Sequence, residues 1–166
     1  MKTTDRYVFF LRGVLGNWIR VPGGIRLRIN EREVNLPTSE HVFMALKASY
    51  FNDENIFEKI INTPSPKEAK RLGRLVKGFD ESLWKKVREE AMYSAIKHRS
   101  IYDIKFTTEL LNPEYEGKEF VECNPYDVIW SCGWSEDNEN ALDSNNWRGL
   151  NLLGKLLTKL RKELKK

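Results

Sequence analysis

Two cysteines and two histidines are all the soft or borderline metal ligands that this 166-residue chain offers. Cys123 and Cys132 stand nine positions apart, and neither belongs to a CxxC pair. With only His41 and His98 besides, spacing assembles no zinc-ligand set, and the thiols read as two reduced, half-buried side chains. No stretch of 18 consecutive apolar residues occurs, which excludes a membrane-spanning helix of ordinary length. The apolar run near the N-terminus, Tyr7 to Phe10 extended by Leu11, is too short for a signal peptide, so a cytoplasmic protein is expected. The phosphate loops GxxxxGK[ST] and GxGxxG are missing, and so is the GxSxG nucleophile elbow. Nothing local brings a histidine to either cysteine. Hydride transfer, metal catalysis and thiol chemistry are thereby disfavoured, and neither a metal nor an organic cofactor is expected. Internal repeats and a second domain are also wanting, and residues 1–166 fit one domain with one core.

What is present is ordinary in bulk, with 40% hydrophobic and 31% charged residues. The net charge of +4 is unevenly placed. Lys155, Lys159, Arg161, Lys162, Lys165 and Lys166 face a single acid, Glu163, so the last twelve residues carry +5 and the remainder −1. Cations at a helix C-terminus are favoured by the helix dipole alone, so the charge argues only weakly for nucleic acid.

The local patterns predict an α+β fold, helix-rich, with a small antiparallel sheet. Tyr7–Leu11 reads as a strand. After the turn Pro22-Gly23-Gly24, Ile25, Leu27 and Ile29 alternate with polar residues and pair back on 33–36 as a hairpin. Thr38 or Ser39 caps a helix to about Tyr50 with Val42, Phe43, Leu46 and Tyr50 as its apolar stripe. Ser65-Pro66-Lys67-Glu68 is a capping box that opens a helix burying Ala69, Leu72, Leu75 and Val76, ended by Gly78. Asp80 caps the next helix, with Leu83, Trp84, Val87, Ala91, Met92 and Ala95 at helical spacing. A shorter helix covers about 101–111, and 119–123 is a strand. Residues 135–146, acid- and asparagine-rich, read as a mobile surface loop. The last helix, about 151–165, places Leu152, Leu153, Leu156, Leu157, Leu160 and Leu164 on one face.

Six short segments, in order, carry a resemblance. Leu15-Gly16-Asn17-Trp18 stands where an LSNF motif would. Ser39-Glu40-His41-Val42-Phe43-Met44-Ala45-Leu46-Lys47 fits SEHxFxAxK, and Ser65-Pro66 through Arg74 fits SPxxAKxxGR. Trp84, Met92 and Ala95 fit WxxxRxxxMxxA; Asp127 to Gly133 fits DxxWGxG; Gly149 to Leu157 fits GxNxLGxxL. Over about residues 9–161 the chain thus resembles the NADAR (YbiA-like) N-glycosidase family. It departs from the pattern at Ser131, where the family has glycine. Arg99-Ser100 replaces a lysine–phenylalanine pair, and such a pair occurs six residues late at Lys105-Phe106. The loop before Trp147 also looks longer.

The resemblance implies cleavage of the bond between a phosphorylated ribose and a nitrogen base. Glu40 and Lys47 lie seven positions apart, on one helical face and about 10.5 Å apart along the axis. Residue type alone allows a solvated face; the family assigns catalysis to the glutamate. A carboxylate beside the anomeric carbon offsets its developing positive charge or activates water. The resemblance also allows Lys47 to form an imine with the ring-opened sugar. Asp127 either binds ribose hydroxyls, orients Lys47, or caps its turn. Trp130 and Trp84 offer planes for a base, or belong to the core. Lys70 and Arg74, at i and i+4, suit a phosphate or pyrophosphate, or simply face solvent; Gly73 beside them would let a ligand approach the backbone. Asn17 can read a base edge or sugar. Gly133 falls in the DxxWGxG segment. Asn151 either caps the last helix or binds ligand, and Gly154 permits close helix packing. The implied partner is an ADP-ribose-like or ribosyl-phosphate small molecule, free or attached to guanine in nucleic acid. Two early riboflavin-pathway intermediates and a non-catalytic ADP-ribose- or NAD-binding module are the alternatives.

Overall fold

The computed structural model describes residues 1–166 and contains six α-helices and five strands, an α+β architecture. The residues divide into two compact units.

One unit comprises residues 1–16 and 105–166. Its sheet has the order β1 (Lys2–Thr3), β2 (Tyr7–Phe10), β5 (Glu119–Glu122). β1 pairs antiparallel with β2, but β2 pairs parallel with β5, Val8 opposite Phe120. This sheet is thus mixed, and the small antiparallel sheet expected from the sequence is the two-stranded hairpin of the other unit. All four residues of β2 are buried, and the run YVFF has no polar alternation, as a strand covered on both faces requires. Helix α5 (Ile104–Leu110) belongs here except for its first residue, and α6 (Leu152–Leu164) packs on β5. Leu153, Leu157 and Leu160 of α6 are fully buried, whereas Leu164 is exposed.

Residues 135–146, expected as a mobile loop, are organised instead. Two 3-10 turns, Glu139–Leu142 and Ser144–Asn146, are capped by the side chains of Asn138 and Asp143. Trp134 donates its indole N–H to the Asn146 carbonyl, Trp147 donates to that of Ala141, and both indoles pack on a buried cluster around Tyr7 and Phe9. The polar composition had concealed two indole anchors at its borders. Cys123 and Cys132 lie in that cluster, fully buried and not half-buried, without a disulfide, the Cys132 thiol donating to the Cys123 sulfur at 4.0 Å.

The other unit, residues 17–104, contains the expected hairpin β3 (Ile25–Ile29) and β4 (Arg32–Leu36), with Ile25 opposite Leu36. Against it pack four helices: α1 (Ser39–Tyr50), α2 (Glu54–Asn62), α3 (Pro66–Gly73) and α4 (Glu81–Tyr102). α2 has no counterpart among the predicted elements, although Asp53 caps it and Ile56, Phe57 and Ile60 form its buried stripe. α3 begins at the predicted capping box, where Ser65 accepts from the Glu68 N–H, but it ends at Gly73 and not Gly78. Leu75 is consequently exposed, as is Leu83 at the start of α4. α4 runs through the position expected to divide two helices and stops at Asp103, whose carboxylate accepts from the buried Arg99 guanidinium at 2.9 Å.

Candidate active site

The site residues of the helical unit are set by the start of α1. Thr38 is its N-cap, accepting from the His41 N–H. The His41 ring is completely buried, with Nδ1 2.8 Å from the Thr38 hydroxyl and Nε2 2.9 Å from the Thr63 carbonyl. A carbonyl can only accept, so Nε2 carries the proton and Nδ1 accepts from Thr38. Burial, opposed by the Thr63 carbonyl and reinforced by Arg20, lowers the His41 pKa and keeps the ring neutral. This histidine thus fastens α1 to the end of α2. Sequence spacing had marked it only as an insufficient metal ligand.

Glu40 follows in the first turn and is 6% exposed, so it is no stray surface acid. Its backbone N–H donates to the Asn17 carbonyl at 3.1 Å, drawing the segment before β3 onto the helix start. The Asn17 side chain donates to the Met92 sulfur at 3.3 Å, while its buried Oδ1 has no partner. One end of the α1–α4 contact therefore brings together Asn17, Glu40 and Met92.

The other end surrounds Lys47. Its ammonium lies 4.2 Å from the Phe79 ring centroid and 5.8 Å from that of Trp84. Trp84 in turn meets Phe43 at 5.4 Å and Tyr50 and Phe51 at 6.2 Å each. Such π-faces hold a cation without supplying a carboxylate. Burial lowers the Lys47 pKa; Glu81 opposes this and Arg74 adds to it. A half-buried lysine with a depressed pKa is the form that serves as a nucleophile. Trp84 itself is 6% exposed, so it walls the lysine and does not offer the open stacking plane considered from sequence.

Arg74 caps the C-terminus of α3 and is exposed, close enough for its charge to act on Lys47. Lys70 is half-buried. Arg71 between them is engaged by Glu68 through two hydrogen bonds of 2.7–2.8 Å. Gly73 does not open the backbone to a ligand: a Cβ there would lie 2.0 Å from the Met44 sulfur, so the glycine admits Met44 of α1. Two open clefts of this unit, of about 340 and 520 Å³, are lined by the 20–24, 35–37 and 56–75 segments, without Glu40 or Lys47.

In the sheet unit, Asp127 closes a turn, its Oδ1 accepting from the N–H groups of Ile129 and Trp130 at 2.9 and 2.8 Å. Of the roles considered for it, turn capping is the one visible in its contacts. Carbonyls of the loop that follows cap α6: Ile129 and Trp130 accept from Leu152 and Leu153. That removes any need for a side-chain cap, and Asn151 supplies none. Asn151 adopts a left-handed backbone, with φ 51°, and its amide clamps β5: Nδ2 donates to the Phe120 carbonyl and Oδ1 accepts from Glu122, both at 3.0 Å. The capping expected of it is not what its side chain does. Gly154 does permit close packing, since a Cβ there would meet the Phe120 carbonyl at 2.1 Å. Gly133 has φ 81°, and a Cβ would crowd Arg148 and Gly149 at 3.0–3.1 Å; this is a backbone requirement independent of any ligand. Ser131, where the family has glycine, is fully buried, and its hydroxyl accepts from Asn124 N–H and faces the Glu122 and Asn124 carbonyls. Trp130 is half-buried.

Arg88 fills the arginine position of the WxxxRxxxMxxA segment, but the sequence assigned it no role. It lies on α4 one turn from both Trp84 and Met92, is 5% exposed, and its buried Nε has no hydrogen-bond partner. The signal was present, since a lone arginine on the apolar stripe of a helix is seldom accidental.

No helix is long and apolar enough to cross a membrane. The NADAR domain family model matches residues 10–165. The chain is 30% identical to N-glycosidase R617 of Acanthamoeba polyphaga mimivirus, over 96% of this chain and 97% of that protein. It is 31% identical to N-glycosidase YbiA of Escherichia coli, over 77% of this chain and 70% of YbiA. The NMR structure of E. coli YbiA superposes with a TM-score of 0.71 at 26% identity, covering 99% of this chain and 88% of that one. A match of 33% identity to the chloroplastic riboflavin biosynthesis protein PYRR of Zea mays covers 77% of this chain but only 20% of PYRR. The α1 face bearing Glu40 and Lys47, the α4 face behind it and the loop docked on α6 thus belong to a member of the NADAR domain family.

Proposed function

We propose that this protein is an N-glycosidase, a hydrolase acting on N-glycosyl compounds, as the names of its relatives R617 and YbiA indicate for those proteins. The observation that carries the reading is the α1 face: a buried carboxylate in the first turn and, two turns on, a lysine desolvated against Phe79 and Trp84. A protein that only bound a nucleotide would require neither.

The substrate we assign is a phosphorylated ribose joined to a nitrogen base, with ADP-ribosyl-guanine as the favoured example. Hydrolysis adds water across the C–N bond, hydroxide to the anomeric carbon and a proton to the departing base. Glu40 offsets the positive charge that grows on the anomeric carbon, or takes a proton from the attacking water. On the alternative, covalent route the Lys47 amine bonds to C1 of the ring-opened sugar as the C–N bond to the base breaks and the base leaves with a proton. Water then hydrolyses the resulting imine, freeing the sugar and the lysine. Asn17, Lys70 and Arg74 are assigned to base, sugar and phosphate contacts. The maize relative favours a second reading, hydrolysis of small phosphorylated ribosylamino-pyrimidines of riboflavin synthesis, on the strength of its name.

The test is incubation with ADP-ribosylated guanosine and, separately, with the riboflavin intermediates, following release of free base. Glu40→Gln removes the charge at constant size and lowers turnover by about 10²-fold or more, with the thermal unfolding midpoint retained. A folded Glu40→Gln protein with near-normal turnover would transfer the chain to the nucleotide-binding class.

A further inference from the structure

Three arginines are almost wholly buried: Arg88, Arg99 and Arg161. Arg99 donates to Asp103 at 2.9 Å, and Arg161 donates to the Tyr115 carbonyl. Arg88 makes neither kind of bond. Its one ion pair is a 3.5 Å approach of Nη1 to Glu81, whose side chain is 65% exposed, and its Nε is buried without a partner. A guanidinium taken out of water needs compensation, and a long contact to a solvated carboxylate supplies little.

Its position gives that unmet demand a meaning. α1 and α4 share two fixed contact levels: Glu40 with Asn17 and Met92 at one, and Phe43 and Lys47 with Trp84 at the other. Arg88 lies four residues from Met92 and four from Trp84 on α4, about 6 Å along the axis from each. Its Cα therefore stands at the level between Glu40 and Lys47, while its guanidinium leans toward Glu81 at the start of α4. With Nη1 turned to Glu81, the edge formed by Nε and Nη2 is the one that remains, and that edge engages two oxygens of a phosphate side-on.

We propose that Arg88 is a substrate-binding residue that holds the phosphate attached to the ribose being cleaved, which rests on the N-glycosidase reading above. Lys70 and Arg74 then serve only the outer charge of a larger substrate. Being desolvated, Arg88 distinguishes a phosphorylated ribose from a bare one far better than an exposed lysine does.

Calorimetric titration with ribose 5-phosphate and with ribose tests this without requiring turnover. The native protein is expected to bind ribose 5-phosphate and to prefer it to ribose. Arg88→Met weakens that binding by about 30-fold or more, and Arg88→Lys, which keeps the charge but loses the fork, by about 10-fold. Arg88→Lys serves as the deciding variant if Arg88→Met melts early. No preference for ribose 5-phosphate in the native protein, or native affinity in a folded Arg88→Lys or Arg88→Met variant, overturns the assignment. The two readings separate cleanly. Arg88-dependent binding in a protein that releases no base sinks the N-glycosidase and leaves the phosphate site; base release with undiminished preference for phosphorylated substrate in Arg88→Met does the reverse.

Discussion

Lys47 is where a single side chain's chemistry is most exposed to test. Borohydride added during turnover should trap a ribosyl adduct on it, and Lys47→Arg, charged but a poor imine former, should trap nothing. Undiminished trapping in that variant would move the role to another lysine, with Lys105 the next to examine. The dependence on pH has a definite sign. Burial, moderated by Glu81 and aided by Arg74, lowers the Lys47 pKa. The neutral amine, the reactive form, therefore appears as pH rises through a value below the ordinary 10.5 of lysine. Adduct formation rises with pH and levels off earlier than for an exposed lysine. Arg74→Gln removes a cation that lowers this pKa, so it shifts the profile to higher pH; a shift to lower pH would refute the electrostatic account.

Elements were legible in the sequence where a local rule governs them. The Ser65 capping box, the Asp80 cap and the alternation of 25–29 each recur in the structure because one residue and its neighbours within four positions decide them. The partner of a strand is not local: nothing in 119–122 announces that it lies parallel to β2. Nor could helical spacing alone separate Trp84 as a wall from Trp84 as a platform, since that depends on Phe43, Tyr50 and Phe51 arriving beside it. Glu40 and Lys47 were singled out through motif resemblance, whereas the burial of one and the aromatic walls of the other depend on packing that spacing does not show. Arg88 was visible as the arginine of the WxxxRxxxMxxA segment, but that its buried Nε lacks a partner is not a local property and could not be read there.

Three predictions concern elements. Gly154→Ala places a methyl against the Phe120 carbonyl and destabilises the α6–β5 contact by about 1–3 kcal/mol, measurable by denaturant unfolding. Asn151→Gly keeps the left-handed backbone accessible but leaves the Glu122 N–H and Phe120 carbonyl without their partner, costing about 1–3 kcal/mol. If that variant is as stable as the native chain, the clamp contributes nothing. The His41 fastening has its own signature. Its folded pKa lies below the unfolded 6.5, so the unfolded chain takes up the proton first and stability falls as pH drops below about 6.5. The difference in unfolding free energy between the native protein and His41→Gln should shrink over that interval; a difference independent of pH would mean that the ring is not held neutral.

At the scale of the whole molecule the open matter is the size of the substrate, and charge decides it only in part. A ribosylamino-pyrimidine monophosphate needs one phosphate site, whereas ADP-ribose on guanine brings a pyrophosphate and, in DNA, a charged backbone. The chain has basic residues from Lys67 to Arg74 and a basic C-terminus, which favour the larger substrate. Part of that charge is already used: Arg71 by Glu68, and Arg161 and Lys165 by Glu116. What remains free at the C-terminus, including Lys155, Lys162 and Lys166, is exposed, and the rest of the chain carries −1 within a total of +4. Counterion release therefore contributes little to a nucleoside-sized substrate. ADP-ribosyl-guanine should be cleaved at least as fast as the riboflavin intermediates, with kcat/KM changing less than about threefold between 50 and 200 mM salt. Changing Lys155, Lys162 and Lys166 together to Gln should leave that rate intact and flatten the salt dependence only for ADP-ribosylated DNA. A clear kinetic preference for the pyrimidine monophosphates, measured side by side, would show that the basic segments have no bearing on substrate choice.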